Sequence, residues 1–142
     1  MNQRRIAVDP GESRIGIAMS DLTATIAGPH STLQHVSRAV DAALIAQIAA
    51  ENEVVEIVLG LALDSSGEMG PQARKANRLA EAIRAQTAIP VVLWDESHST
   101  QAAAETQHLL NLGRRKRREH IDSMAAAVIL QTYLDHLRDR KE

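Results

Sequence analysis

The stretch IAVDPGESRIGIAMSD, residues 6–21, decides how this chain is read. Ile6 and Val8, then Ile15, Ile17 and Ala18, read as two short strands joined by a turn through Pro10 and Gly11. The first strand ends on Asp9, and a carboxylate there costs desolvation unless something pairs with it. Two readings stand side by side. Asp9 starts the turn by bonding its own backbone, or it is a side chain held in place for a site.

Working outward, a weaker extended piece follows at GPHSTL (28–33). Val40, Ala43, Leu44 and Ile48 recur at helical spacing and predict a helix whose apolar face they form. EIVLGLAL (56–63) is a continuous apolar run, as expected of a strand covered on both sides. DSSGEMGP (64–71) reads as a loop with Pro71 at a helix start. Ala73, Ala76, Ala80 and Ile83 line the next helix, with Arg74, Arg78 and Arg84 on its other side. VVLW (91–94) is a buried strand running into Asp95 and Glu96, and Ser99 or Thr100 can cap a helix through Leu110. Gly113 and the basic block RRKRR (114–118) read as a loop before a final helix over 121–137. With no repeat, low-complexity tract or linker, residues 1–142 are expected to form a single domain.

The opening hairpins imply antiparallel pairing and the later helical crossovers parallel pairing. The expected fold is α/β, a mixed sheet with helices on its faces. Ligands in such sheets sit beyond the carboxyl ends of the parallel strands, and Asp9, Asp64 and Glu96 all fall at or just past predicted strand ends.

Composition narrows the function. The chain is 44% apolar and 24% charged, which suits a globular domain rather than a disordered one. It has no Phe, one Trp and one Tyr, which argues against an aromatic platform for stacked bases. The absence of cysteine excludes disulfides, zinc knuckles and thiol catalysis. No apolar run approaches the ~20 residues of a membrane span, and Met1–Arg5 leads straight into a strand, so a cytoplasmic protein with no membrane role is expected. A net charge of −2 gives no global pull toward nucleic acid, but the block at 114–118 is a dense local one.

Asp122 begins an apolar face made by Ala126, Ile129 and Tyr133 at i+4, i+7 and i+11. It is either a helix cap or a ligand near Asp9, and the position where a capping box would place Glu or Gln holds Ala125. Small residues at Ser123, Ala125, Ala126 and Ala127 allow this helix to approach a sheet closely. Carboxylates converging at a sheet edge repel by about 4 kcal/mol per pair at 4 Å and an effective dielectric of 20. A divalent cation turns that penalty into binding, and all-oxygen ligands suit Mg²⁺ or Mn²⁺. Six histidines are scattered with no HxxxH pair; His98, close to Glu96, is either a proton shuttle or a surface loop residue.

Taken together, DPGESRIGIAMSD (9–21), VLGLAL with Gly67, DESHST (95–100) and IDSMAAAVILQTYL (121–134) resemble the YqgF/RuvX family of Holliday-junction-resolvase-like proteins over nearly the whole chain. That resemblance implies a ribonuclease H-like fold, here a five-stranded mixed sheet with helices on both faces and the first strand central. It also implies a divalent-metal nuclease site with Asp9, Glu96 and Asp122 as catalytic and metal-holding carboxylates. Arg14, Arg114, Arg115, Lys116, Arg117 and Arg118 are the candidate nucleic-acid contacts. The chain departs from the family pattern at Ser97, where an arginine is usual, at Ala62 in place of proline, and at Asp64 in place of asparagine. Asp64 is thereby a candidate fourth oxygen ligand or simply a turn starter.

The implied activity is metal-dependent endonucleolytic cleavage of structured RNA, foremost the 5′ end of precursor 16S rRNA in ribosome biogenesis. Cleavage of branched DNA such as a Holliday junction is the rival within that class, and a non-catalytic ribosome-assembly binder is the rival outside it. A monomer or weak homodimer is expected.

Overall fold

The computed structural model describes residues 1–63, 65–95 and 114–141, with the side chains of the last segment described from 121 to 140. In chain order the elements are β1 (Arg5–Pro10), β2 (Arg14–Ser20), β3 (Ala27–Gln34), α1 (Arg38–Glu51), β4 (Glu56–Leu61), α2 (Pro71–Arg84), β5 (Val91–Asp95) and α3 (Arg114–Lys141). The sheet order is β3-β2-β1-β4-β5, which puts β1 at the centre. β1 pairs antiparallel with β2, and β2 with β3, while β1–β4 and β4–β5 are parallel. The expected mixed sheet is therefore present, and β1, β4 and β5 all end at one edge.

Strand alternation sorts the core into two layers. Ile6, Val8, Ile15, Ile17, Ile57 and Leu59 face one way, against Ala42, Ile45 and Ala49 of α1 and Ala73, Ala76, Leu79, Ala80 and Ile83 of α2. Ala7, Ala18 and Val58 face the other way, against Ala126, Ala127, Ile129, Leu130, Tyr133 and Leu134 of α3. Pro71 opens α2 at its first turn, as the sequence predicts. Beyond β2, the Asp21 carboxylate accepts from the Thr23 hydroxyl (2.5 Å) and the Thr25 and Ile26 amides (2.8 and 3.1 Å). Those bonds, the Thr23 hydroxyl first, hold its pKa down to about 2 and shape the turn into β3.

Four expectations change. α1 forms, but its rotation differs: Val40 and Leu44 are 42% and 37% exposed, whereas Asp41, Ala42, Ile45, Ala46 and Ala49 are buried. The helix start sets this rotation. Ser37 caps it by accepting from the Val40 amide, and the Asp41 carboxylate is drawn inward to the Val36 amide and His35. Secondly, residues 114–118 are not a loop but the opening of α3. Arg and Lys are good helix formers, and no Gly or Pro interrupts 114–141. Thirdly, Asp122 lies well inside that helix, so it is not an N-cap. β4 ends at Leu61 rather than 63. The helix expected over 99–110 lies outside the described residues. Among the described residues no helix is long and apolar enough to cross a membrane.

Candidate active site

Asp9 stands opposite Gly16 in the β1–β2 ladder. By alternation both belong to the face of Ala7 and Ala18, the one that α3 covers. Gly16 is where the helix touches down. A Cβ built on it would lie 1.9 Å from the Asp122 carbonyl oxygen, 2.4 Å from its carbonyl carbon and 3.1 Å from the Ser123 nitrogen. The backbone of α3 at Asp122–Ser123 thus rests directly on the sheet beside Asp9, at the edge where the parallel strands end. The close approach anticipated from Ser123, Ala126 and Ala127 is real, and Ser123 and both alanines are buried.

Arg14 precedes Gly16 on the same face of β2, and its Nε donates to Asp122 Oδ2 at 2.6 Å. The two side chains are 29% and 27% exposed, so the pair is partly withdrawn from water yet reachable. This charge-assisted bond fixes the Asp122 carboxylate and balances its charge. The structure makes Arg14 the partner of Asp122, whereas the sequence placed it only as a phosphate contact. Alternation of Arg14, Gly16 and Ala18 along β2 carries part of that signal; the partner, 108 residues away, does not show in it.

The far half of α3 is anchored separately. The Tyr133 hydroxyl donates to Glu56 Oε1 at 2.8 Å, and Arg5 Nε donates to the same oxygen at 2.8 Å. Burial, then the bond to Glu56 and its charge, push the Tyr133 phenol up to about 12. Trp94 sets its ring edge-on to Tyr133 with centroids 5.3 Å apart, and its Nε1 donates to Thr132 Oγ1 at 3.0 Å. Gln131 accepts from the Ala27 amide at 2.9 Å and donates to the Thr25 carbonyl at 3.0 Å. These contacts hold the helix in register, so the height of Asp122 above Gly16 is set from both ends.

The chemistry of the site is that of oxygen donors. Asp9 and Asp122 share Gly16 as a neighbour and are both partly exposed, which suits a hard divalent cation. β5 stops at Asp95, next in sequence to Glu96. Glu96, Asp64, Ser97 and His98 lie outside the described residues. Among the described residues, no three Asp, Glu or His side chains form a metal-sized group. Arg114, Arg115, Lys116, Arg117 and Arg118 occupy the start of α3, ahead of Asp122 on the same helix.

Comparison with known proteins gives the family and the fold. The model of the family described as "RuvX: Holliday junction resolvase" matches residues 3–136. The chain is 44% identical over 142 residues to a Chloroflexus aggregans protein, covering 98% of this chain and 99% of that one. It is 39% identical over 141 residues to one from Thermoanaerobacter pseudethanolicus, covering 96% and 99%. Both relatives bear the name "Putative pre-16S rRNA nuclease". Among solved structures, the chain is similar to Thermus thermophilus RuvC in complex with a Holliday junction substrate (TM-score 0.62, 14% identity, 96% of each chain covered). It is also similar to the fowlpox virus resolvase bound to Holliday junction DNA (TM-score 0.55, 11% identity, 95% and 99% covered). Those likenesses show the fold, which is ribonuclease H-like. Matched by its family model from residue 3 to 136 and by relatives along nearly their full length, the chain belongs to the RuvX family.

Proposed function

We propose that this chain is a divalent-metal-dependent endonuclease that hydrolyses phosphodiester bonds in structured RNA, with precursor 16S rRNA as its substrate. The observation that supports a site here is the seating of the α3 backbone at Asp122 on Gly16, the ladder partner of Asp9, at the edge where β1, β4 and β5 end. In this reading Asp9, Asp122 and Glu96 hold Mg²⁺ or Mn²⁺. When bound, such an ion polarises the phosphoryl oxygen and neutralises charge as the bond to phosphorus breaks. The protein's own part is positional. Gly16 admits the α3 backbone, Arg14 orients the Asp122 carboxylate, and pairing of Asp9 with Gly16 in β2 and of the preceding Val8 with Leu59 in β4 holds Asp9 in place. Arg114, Arg115, Lys116, Arg117 and Arg118 lay phosphates along the start of α3, which sets register without reading sequence.

The names of the full-length relatives favour RNA, and the family description favours branched DNA as the second reading. Matched RNA and four-way DNA substrates, assayed with Mg²⁺, Mn²⁺ and chelator, separate the two. The decisive variant is Asp9→Asn, which keeps shape but removes charge. Cleavage should fall by about 100-fold or more, the scale seen when one transition-state-stabilising group is removed. Nucleic-acid binding should survive, because it rests on cations and phosphates. Cleavage within a few-fold of the parent would take Asp9 out of the site and return it to the role of turn starter.

A further inference from the structure

The opposite side of the β1–β2 hairpin tip holds a cavity of about 210 Å³ that the nuclease reading does not use. Pro10 and Gly11 form part of its wall, and Arg38, Lys75, His35 and Asp41 supply its ionisable groups. Its walls are tied together. The Gly11 amide donates to the Arg14 carbonyl at 2.9 Å, and the His35 amide donates to the Ser13 carbonyl at 3.0 Å. Gly11 is required by that turn itself, since a Cβ there would lie 2.6 Å from the Arg14 carbonyl oxygen.

The charges in the cavity are not self-neutralising. Asp41 is only 3% exposed, and its two oxygens are occupied, one by the Val36 amide at 3.0 Å and the other by His35 Nδ1 at 2.5 Å. The ring of His35 is thereby oriented with Nε2 as the nitrogen left for a ligand. Arg38 and Lys75 make no ion pair among the described residues. Two basic side chains and an oriented imidazole thus surround a space where the one carboxylate is already engaged.

We propose that this cavity is a binding site for a phosphate group. Lys75 and Arg38 supply charge and hydrogen-bond donors, and His35, positioned by Asp41, supplies a third contact. The lining selects a phosphate rather than a base. Its ionisable groups are two basic side chains, one imidazole and one engaged carboxylate, and among the described residues no aromatic ring besides His35 lines it. Trp94 and Tyr133, which could stack a base, sit on the other face of the sheet. The phosphate comes either from a nucleic-acid strand crossing the hairpin tip or from a free phosphate or phosphate monoester.

The test is an NMR titration of the full-length protein with inorganic phosphate and, separately, with a 5′-hydroxyl RNA tetranucleotide, whose phosphates are all diesters, against chloride at equal ionic strength. Saturable shifts are expected at the Gly11 amide and the His35 ring nitrogens. Affinity should drop about tenfold in Lys75→Gln and in Arg38→Gln, the loss of one charged hydrogen bond; both positions are exposed, so melting temperatures should not move. If phosphate displaces the tetranucleotide from these resonances, the source is nucleic acid; if only inorganic phosphate moves them, it is a small anion. Shifts absent with both ligands, equal in chloride, or unchanged in both variants would overturn the site. Repeating the titration on Asp9→Asn keeps the outcome separate from the nuclease reading, because the cavity does not include Asp9.

Discussion

Gly16 and Ile17 are neighbours in β2 that look out from opposite faces of the sheet. Ile17 is fully buried among large aliphatic side chains under α1 and α2, where space is filled by branched residues. Gly16 lies against the α3 backbone with no room for a methyl group. One face is a core spaced by side chains; the other is a backbone contact spaced by their absence. The candidate site lies on the second face because a helix brought that close can place a carboxylate next to one on the sheet.

The sharpest way to break this comparison is Gly16→Ala. Its methyl group must push α3 away, at a cost of about 3 kcal/mol or more, at the upper end of overpacking. Cleavage should fall with it, since Asp122 moves from Asp9. Urea unfolding and cleavage measured on one preparation test both halves, and a stable, active variant would mean the contact yields. Ile17→Val removes a methylene from the other face and should cost only about 1 kcal/mol, with activity per folded molecule unchanged. A loss of cutting there would show that both faces shape the site.

A milder probe reads the far end of α3. Tyr133 is the chain's one tyrosine, so tyrosinate absorbance reports it alone, and it should titrate at about 12. Glu56→Gln should lower that value, because the Glu56 charge opposes a second anion. The linkage sign follows. With the folded pKa above the unfolded value of about 10, the contribution of Tyr133 to stability should be flat below pH 10 and decline between 10 and 12, where the unfolded chain loses the proton first. Titration near 10 would mean α3 is not clamped at this end. The smallest effect belongs to the outer side of α1. Val40→Thr with Leu44→Gln should change stability by no more than about 0.5 kcal/mol. A loss above about 2 kcal/mol would restore the inward stripe that the apolar spacing predicts.

Much of this molecule could be read from residues close together in the chain. The alternation Ile6-Ala7-Val8 defines a strand with two unequal faces, and Pro10-Gly11 defines its turn. The hairpins and crossovers define the mixed sheet, and Asp122-Ala126-Ile129-Tyr133 defines one helix face. Asp9 and Asp122 could be nominated because acidic residues at the end or start of apolar runs are conspicuous. Those signals are local, since backbone periodicity repeats every two or 3.6 residues. Only the tertiary structure decided which way α1 turns, because that helix carries apolar residues on two sides and its buried Asp41 answers to His35 and Val36. It alone joined Arg14 to Asp122 across 108 residues, and it alone showed why position 16 is glycine. A contact between distant segments depends on the distance at which two elements pack, and no periodicity within either element encodes that distance.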